Sequence, residues 1–198
     1  LQLSLGNLEA VFRNLILSFE GLPGAEIETV TALINASPNT EKNYQVTAQI
    51  ANLDLSNVLA GLGGDYQVIQ NISLAAEAEL SRPLDRLAMA DGAPQVQNLL
   101  LREALINYGA TSLLIGADLA RNETGNLNGN INFTVQNWKT LFGLAKNLGY
   151  VEPDLEEFFY TILMNLAKQD GSEDRLTIPL TITNNTVSYG ALTLGVLP

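Results

Sequence analysis

INFTVQNW, residues 131–138, begins as a strand and ends as something else. Ile131, Phe133 and Val135 alternate with Asn132, Thr134 and Gln136, the period of a strand with one apolar and one polar face. The alternation stops at Asn137. From Trp138 onward, Leu141, Phe142, Ala145 and Leu148 share one helical face, and Gly149 ends the run. Asparagine is a favoured helix N-cap, because its side-chain oxygen accepts from a backbone N–H two or three residues on. The stretch therefore reads as a strand that turns through Asn137 into a helix folded over the sheet. Trp138 is read as the anchor between the two layers. VTAQIANL (residues 46–53) and LQLSLGNL (residues 1–8) repeat the order strand, Asn, hydrophobe. After the former, a shorter helical turn using Asn52 or Asn57 is expected. After Asn7 two readings stay open: a helix through Leu8, Val11, Phe12 and Leu15, or a strand through NLILSFEGL. The repeat is too loose for a solenoid unit and reads as recurrent strand-to-helix corners.

Outward from this stretch, period-two alternation dominates. Tyr44, Val46, Ala48 and Ile50 oppose Gln45, Thr47 and Gln49. Ile72, Leu74, Ala76, Ala78 and Leu80 oppose Ser73, Glu77, Glu79 and Ser81. Leu127, Gly129, Ile131, Phe133 and Val135 oppose three asparagines, Thr134 and Gln136. Leu176, Ile178, Leu180 and Ile182 form a further set, and Pro179 on the opposite face suggests an edge strand. Residues 99–107 and 112–120 read as two strands joined at Tyr108-Gly109-Ala110. NETGN (122–126) and TNNT (183–186) are hairpin-like connections, and ASPNTEKN (36–43) is a longer polar loop. Such spacing favours antiparallel pairing, and one polar face favours a sheet covered on one side only.

A second helix is expected over residues 153–170. Leu155, Phe158, Phe159, Ile162, Leu163 and Leu166 make an apolar stripe. Pro153, Asp154, Glu156 and Glu157 suit its start, while Lys168 and Gly171 suit its end. Residues 176–183 and 186–194 are expected to form a C-terminal hairpin, with a bulge at Gly190 where the parity of apolar residues shifts. The expected fold is α+β: an extensive, twisted antiparallel β-sheet with two main helices packed on its apolar face. A single domain over residues 1–198 is expected.

Composition narrows the function. The net charge of −11 and the lack of a basic cluster disfavour nucleic acid and anionic lipid surfaces. There is no cysteine and no histidine, so disulfides, thiolate metal sites and the commonest general base are excluded. No apolar run reaches the roughly 18 residues of a membrane-spanning helix. The chain opens without Met inside an alternating run at Leu1, Leu3 and Leu5, and reads as a fragment lacking an N-terminal signal or anchor.

Candidate chemistry is sparse. Glu152, Asp154, Glu156 and Glu157 are better read as a solvated helix start than as a cation site. Asp170, Glu173 and Asp174 miss the spacing of an EF-hand loop. Glu77 and Glu79 share the polar face of one strand, a solvated setting that does not raise a carboxyl pKa for glycosidase-like work. Gly61 to Gly64 lack the Lys-Ser/Thr of a phosphate-binding loop. The Asn-x-Ser/Thr patterns at Asn71, Asn122, Asn132 and Asn184 are expected by chance in so Asn-rich a chain. No Ser-x-x-Lys or Gly-x-Ser-x-Gly occurs. Catalytic, cofactor and metal residues are accordingly not assigned.

Residues 99–149 and the ending LTIPLTITNNTVSYGALTLGVLP (176–198) resemble a bacterial family, domain of unknown function 2125. The resemblance rests on the aromatic–Gly pair Tyr108-Gly109 and on Gly125, Leu127 and Gly129 at a hairpin. It also rests on the helix after an Asn and the Gly-rich, Pro-terminated end. It implies an alphaproteobacterial envelope protein, signal-bearing or anchored, and no assigned chemistry. The alternating strands are also broadly similar to AsmA- and TamB-like envelope proteins, whose curved sheets handle lipid, a likeness at the level of fold. The expected function is therefore non-catalytic and periplasmic or envelope-bound. A lipid or other apolar ligand would lie between sheet and helices, or another envelope protein would be the partner. The alternative is a structural or interaction module with a fully packed core. No cofactor is expected.

Overall fold

The alternating runs become strands that pair strictly in chain order. The computed structural model describes residues 6–19, 22–38, 40–58, 67–85, 92–169 and 171–197. Its strands are β1 (Asn7–Phe19), β2 (Leu22–Ala36), β3 (Asn43–Asp54), β4 (Val68–Leu80), β5 (Val96–Tyr108), β6 (Thr111–Arg121) and β7 (Leu127–Gln136). Helices α1 (Trp138–Asn147) and α2 (Glu156–Gln169) follow, and then β8 (Arg175–Thr183), β9 (Thr186–Tyr189) and β10 (Leu192–Val196). Among the described residues these form one ten-stranded antiparallel sheet in the order β1 to β10. The helices are an excursion between β7 and β8, which pair directly with each other. The α+β architecture read from the sequence is the one observed.

Register carries the apolar face across the sheet. One row runs Phe12, Val30, Ile50, Ile72, Ile106, Leu113, Val135, Leu176 from β1 to β8. The next runs Ala10, Ala32, Ala48, Leu74, Ala104, Ile115, Phe133, Ile178, and a third Leu8, Ile34, Val46, Ala76, Leu101, Ala117, Ile131, Leu180. A one-residue slip anywhere would turn a strand's apolar set to the polar side. β5 needs a correction to stay in phase, since Leu99 and Leu101 are odd while Ala104 and Ile106 are even. A bulge between Leu101 and Ala104 supplies it, leaving Arg102 and Glu103 together on the polar side.

Asparagine takes the left-handed positions. Every non-glycine residue with positive φ among the described residues is Asn: Asn14, Asn52, Asn137, Asn184 and Asn185. Asn tolerates this region because its short polar side chain bonds locally. Asn184 and Asn185, with φ 48° and 66°, form the two-residue turn between β8 and β9. The pairing places Asn14 and Asn52 on either side of Glu28, and the Asn52 amide donates to the Glu28 carboxylate. Beyond this line Ala25 and Ile27 are buried, only 4% and 5% exposed.

Four expectations are resolved here. β3 passes through Asn52 and ends at Asp54, so no helical turn starts at Asn52; a turn spans residues 56–58 around Asn57, the other residue expected to serve, and residues 59–66 lie outside the described residues. Of the two readings left open after Asn7, the strand is the one observed. The C-terminal hairpin is three strands, because Gly190, at φ 55°, sits in a turn between β9 and β10, and the bulge lies between Thr193 and Gly195. Pro179 is in an interior strand, yet β9 pairs with β8 only from Thr181 to Thr183, so the proline lies past the end of its outer neighbour. Leu1, Leu3, Leu5, Gly61 to Gly64 and Asp170 lie outside the described residues.

Candidate functional site

The two helices cover one end of the apolar face. Trp138, 2% exposed, packs with Val135, Leu176 and Ala167, and with Leu113, Phe142, Leu163, Met164 and Ile178 around them. Tyr160 closes this cluster, its ring centroid 5.5 Å from that of Trp138 and 5.8 Å from that of Phe142. The Trp138 Nε1–H donates to the Glu173 carbonyl at 3.0 Å, so its polar edge is satisfied. The space between the helices and the sheet at this end is filled by side chains.

Asn137 occupies the expected corner but not by the expected means. Its φ of 56° is left-handed, and its side chain makes no capping bond to the helix. The amide instead donates to the carbonyl of Ala110 in the β5–β6 turn, while its own N–H donates to Asp174 at 2.8 Å. Asn137 thus stitches the turn before β6 and the loop before β8 to the end of β7.

Half of the stripe predicted for α2 turns outward. Leu163 and Leu166 of that stripe face the core, with Met164 and the fully buried Ala167. Leu155, Phe158, Phe159 and Ile162 are exposed, Phe158 by 60%. Both faces of this helix are apolar, so periodicity alone could not select the buried one.

Among the described residues, the helices pack on the sheet at β6, β7 and β8, and the apolar rows continue beyond them. The sheet residues under the helices are Leu113, Val135, Leu176 and Ile178, on β6, β7 and β8. The same rows continue through Leu74, Ile72, Ile50, Ala48 and Val46, which are partly buried. The molecule exposes 12519 Å². A compact monomer of this mass would expose about 9,100 Å². The difference is what an open, single-layer sheet produces. This uncovered face is the candidate site.

The reverse face is polar, and part of its charge is paired, as are charges around the helices. Arg102 pairs with Glu77 at 2.6 Å, Glu79 accepts from Asn98, and Lys139 pairs with Asp174 at 3.2 Å. Glu156, at the start of α2, pairs with Lys146 at 2.6 Å. A shallow hollow of about 200 Å³ lies beside Tyr44, Glu77, Glu79, Asn98 and Asp118. Another, of about 440 Å³, follows the Asn14–Glu28–Asn52 line. There the Ser56 hydroxyl and backbone N–H hold the Asp54 carboxyl below its usual range, the N–H at 2.7 Å. Among the described residues no three acidic side chains gather as a metal site. Of the acidic residues weighed from sequence, Glu77, Asp174 and Glu156 are ion-paired.

Sequence reasoning missed two features. One is Asn14, whose neighbours signal nothing. The other is the turn-to-turn asparagine network. Asn122 Nδ2 donates to Asn184 Oδ1 at 2.9 Å, and the Leu127 N–H donates to Asn185 Oδ1 at 2.6 Å. These pairs are far apart in the chain, and only the sheet brings them together.

No described helix is long and apolar enough to cross a membrane. A family model, DUF2125, described as an uncharacterized protein conserved in bacteria, matches residues 2–198. No curated protein matches the chain. No solved structure matches it either.

Proposed function

The chain belongs to this bacterial family, and we propose that it is a non-catalytic envelope protein that holds an apolar chain, such as a lipid acyl chain, along its open sheet face. One observation carries the reading. Registered rows of apolar residues run from β1 to β8, and among the described residues the helices pack on them at β6 to β8. Beyond the helices these rows stay partly accessible, and accessible apolar surface of this kind is where an apolar partner binds. Each methylene laid on it gains about 0.8 kcal/mol. The face carries no charged group in those rows, so it selects for apolar length rather than for a head group. An apolar ligand-holding face and the family resemblance support placing it in the envelope. The non-catalytic reading draws on the absence of His and Cys and on carboxylates that lie paired on the opposite face.

A second reading, a protein-interaction module, draws on the exposed outer face of α2 at Phe158 and Phe159. The two are separated by extracting the purified protein and analysing the extract by mass spectrometry, then titrating delipidated protein with a fluorescent fatty acid. Bound lipid and saturable probe binding are expected. Leu74→Asp should abolish probe binding, while Thr47→Asp on the polar face should leave it intact. A lipid-free preparation that binds no probe would refute the lipid reading and leave the interaction module.

A further inference from the structure

β1 is an edge strand, and among the described residues nothing pairs with its outer side. The Ala36 N–H donates to the Gly6 carbonyl at 2.8 Å, so position 6 turns its backbone groups toward β2. In an antiparallel ladder that orientation alternates. Leu8, Ala10 and Phe12 therefore also bond inward, and Asn7, Glu9, Val11 and Arg13 present N–H and C=O groups outward. Soluble proteins blunt such edges with Pro, Lys, bulges or short strands. Residues 7–13 contain no Pro and no Lys, and Leu8, Val11 and Phe12 are 46%, 47% and 51% exposed.

The charges on this edge select a partner. Glu9 and Arg13 are its only ionic groups, and both lie on the polar side of the sheet. Four residues of strand separate them by about 13 Å, too far to pair with each other. Among the described residues neither has an ion-pair partner.

We propose that β1 pairs antiparallel with β1 of a second copy of this chain, about a twofold axis through Val11. In that register Glu9 faces Arg13 of the second copy, and Arg13 faces its Glu9. Val11 meets Val11, and each Phe12 lies beside an Ala10, large against small. The outward backbone groups at positions 9, 11 and 13 meet their counterparts. Sliding the partner by two residues leaves both charges opposite uncharged residues, and sliding it by four sets like charge on like charge, which is unfavourable. Asn14, at φ 52°, ends the straight segment. An axis perpendicular to the sheet keeps both apolar faces on the same side, so the open face becomes continuous across twenty strands. This interface stands whether or not that face holds lipid.

Sedimentation of the intact protein over a concentration series tests it. A monomer–dimer equilibrium is expected. Glu9→Arg or Arg13→Glu alone should weaken it by about tenfold or more. The two together should restore it, because the paired signs are merely exchanged. In this cysteine-free chain Val11→Cys should oxidise to a covalent dimer, and Leu192→Cys on the opposite edge should not. A monomer at every concentration, single reversals without effect, a double reversal that stays weak, or cross-linking at Leu192→Cys instead would each overturn the proposal.

Discussion

The indole N–H of Trp138 reaches the carbonyl oxygen of Glu173 at 3.0 Å, joining the first residue of α1 to the loop that opens β8. That bond closes the helical excursion on itself. β7 and β8 are ladder neighbours, so the helices between them must leave and return at the same edge of the pair. Trp138 fills the space under them and ties both ends.

Trp138→Ala should therefore cost about 3–5 kcal/mol in urea unfolding. Trp138→Phe should cost less, keeping most of the packing and losing the bond to Glu173. As the only tryptophan, and 2% exposed, Trp138 should emit at short wavelength in the native state and shift to the red on unfolding. Native emission typical of solvated indole would contradict this placement.

Asn137 distinguishes two mechanisms for one corner. A capping role would let Ser or Asp substitute well. The observed left-handed backbone predicts another order. Asn137→Gly keeps the conformation and loses only the bond to Ala110, about 0.5–1.5 kcal/mol. Asn137→Ser loses that bond and adds backbone strain of about 1–2 kcal/mol. Thermal unfolding of the two variants should rank Gly above Ser; the reverse rank would restore the cap.

The orientation of α2 is testable by size. Ala167 is fully buried beside Trp138 and Leu176, so Ala167→Leu should destabilise by about 1–3 kcal/mol through overpacking. Phe158→Ala, on the exposed side, should change stability by no more than about 0.5 kcal/mol. Equal losses at both positions in chemical denaturation would mean that the outer face is buried in solution.

Gly129 sits at φ 140° in β7, and a Cβ there would lie 2.0 Å from the backbone oxygen of Asp118. Gly129→Ala should prevent normal pairing of β6 with β7 and yield little folded protein by circular dichroism. Gly143, inside α1 with open space beside it, offers the contrast. Gly143→Ala should stabilise by about 0.5–1 kcal/mol.

Much of the fold was legible in INFTVQNW and its relatives. Strands announce themselves because side-chain direction alternates at every residue, a local rule that Ile131, Phe133 and Val135 obey without help. The corner at Asn137 was visible for the same reason, since the period changes there. Its mechanism was not visible, because the partner that receives the Asn137 amide is Ala110, distant in sequence. Leu155, Phe158 and Phe159 misled for a related reason: α2 is apolar on two sides, and only the position of Trp138 decides which side is inside.

The candidate site divides the same way. Its residues were named from alternation, yet whether they enclosed a cavity, a packed core or an open face depended on how far the helices reach. By itself the sequence determined an antiparallel sheet with one apolar face, two helices, and a chemistry without histidine or cysteine, since these follow from local periodicity and composition. Only the tertiary structure decided that the helices cap one end, that Asn14 and Asn52 flank Glu28 with left-handed backbones, and that the edge strand β1 carries unpaired charge. Those outcomes depend on register and layer contacts between residues far apart in the chain, which no local pattern encodes.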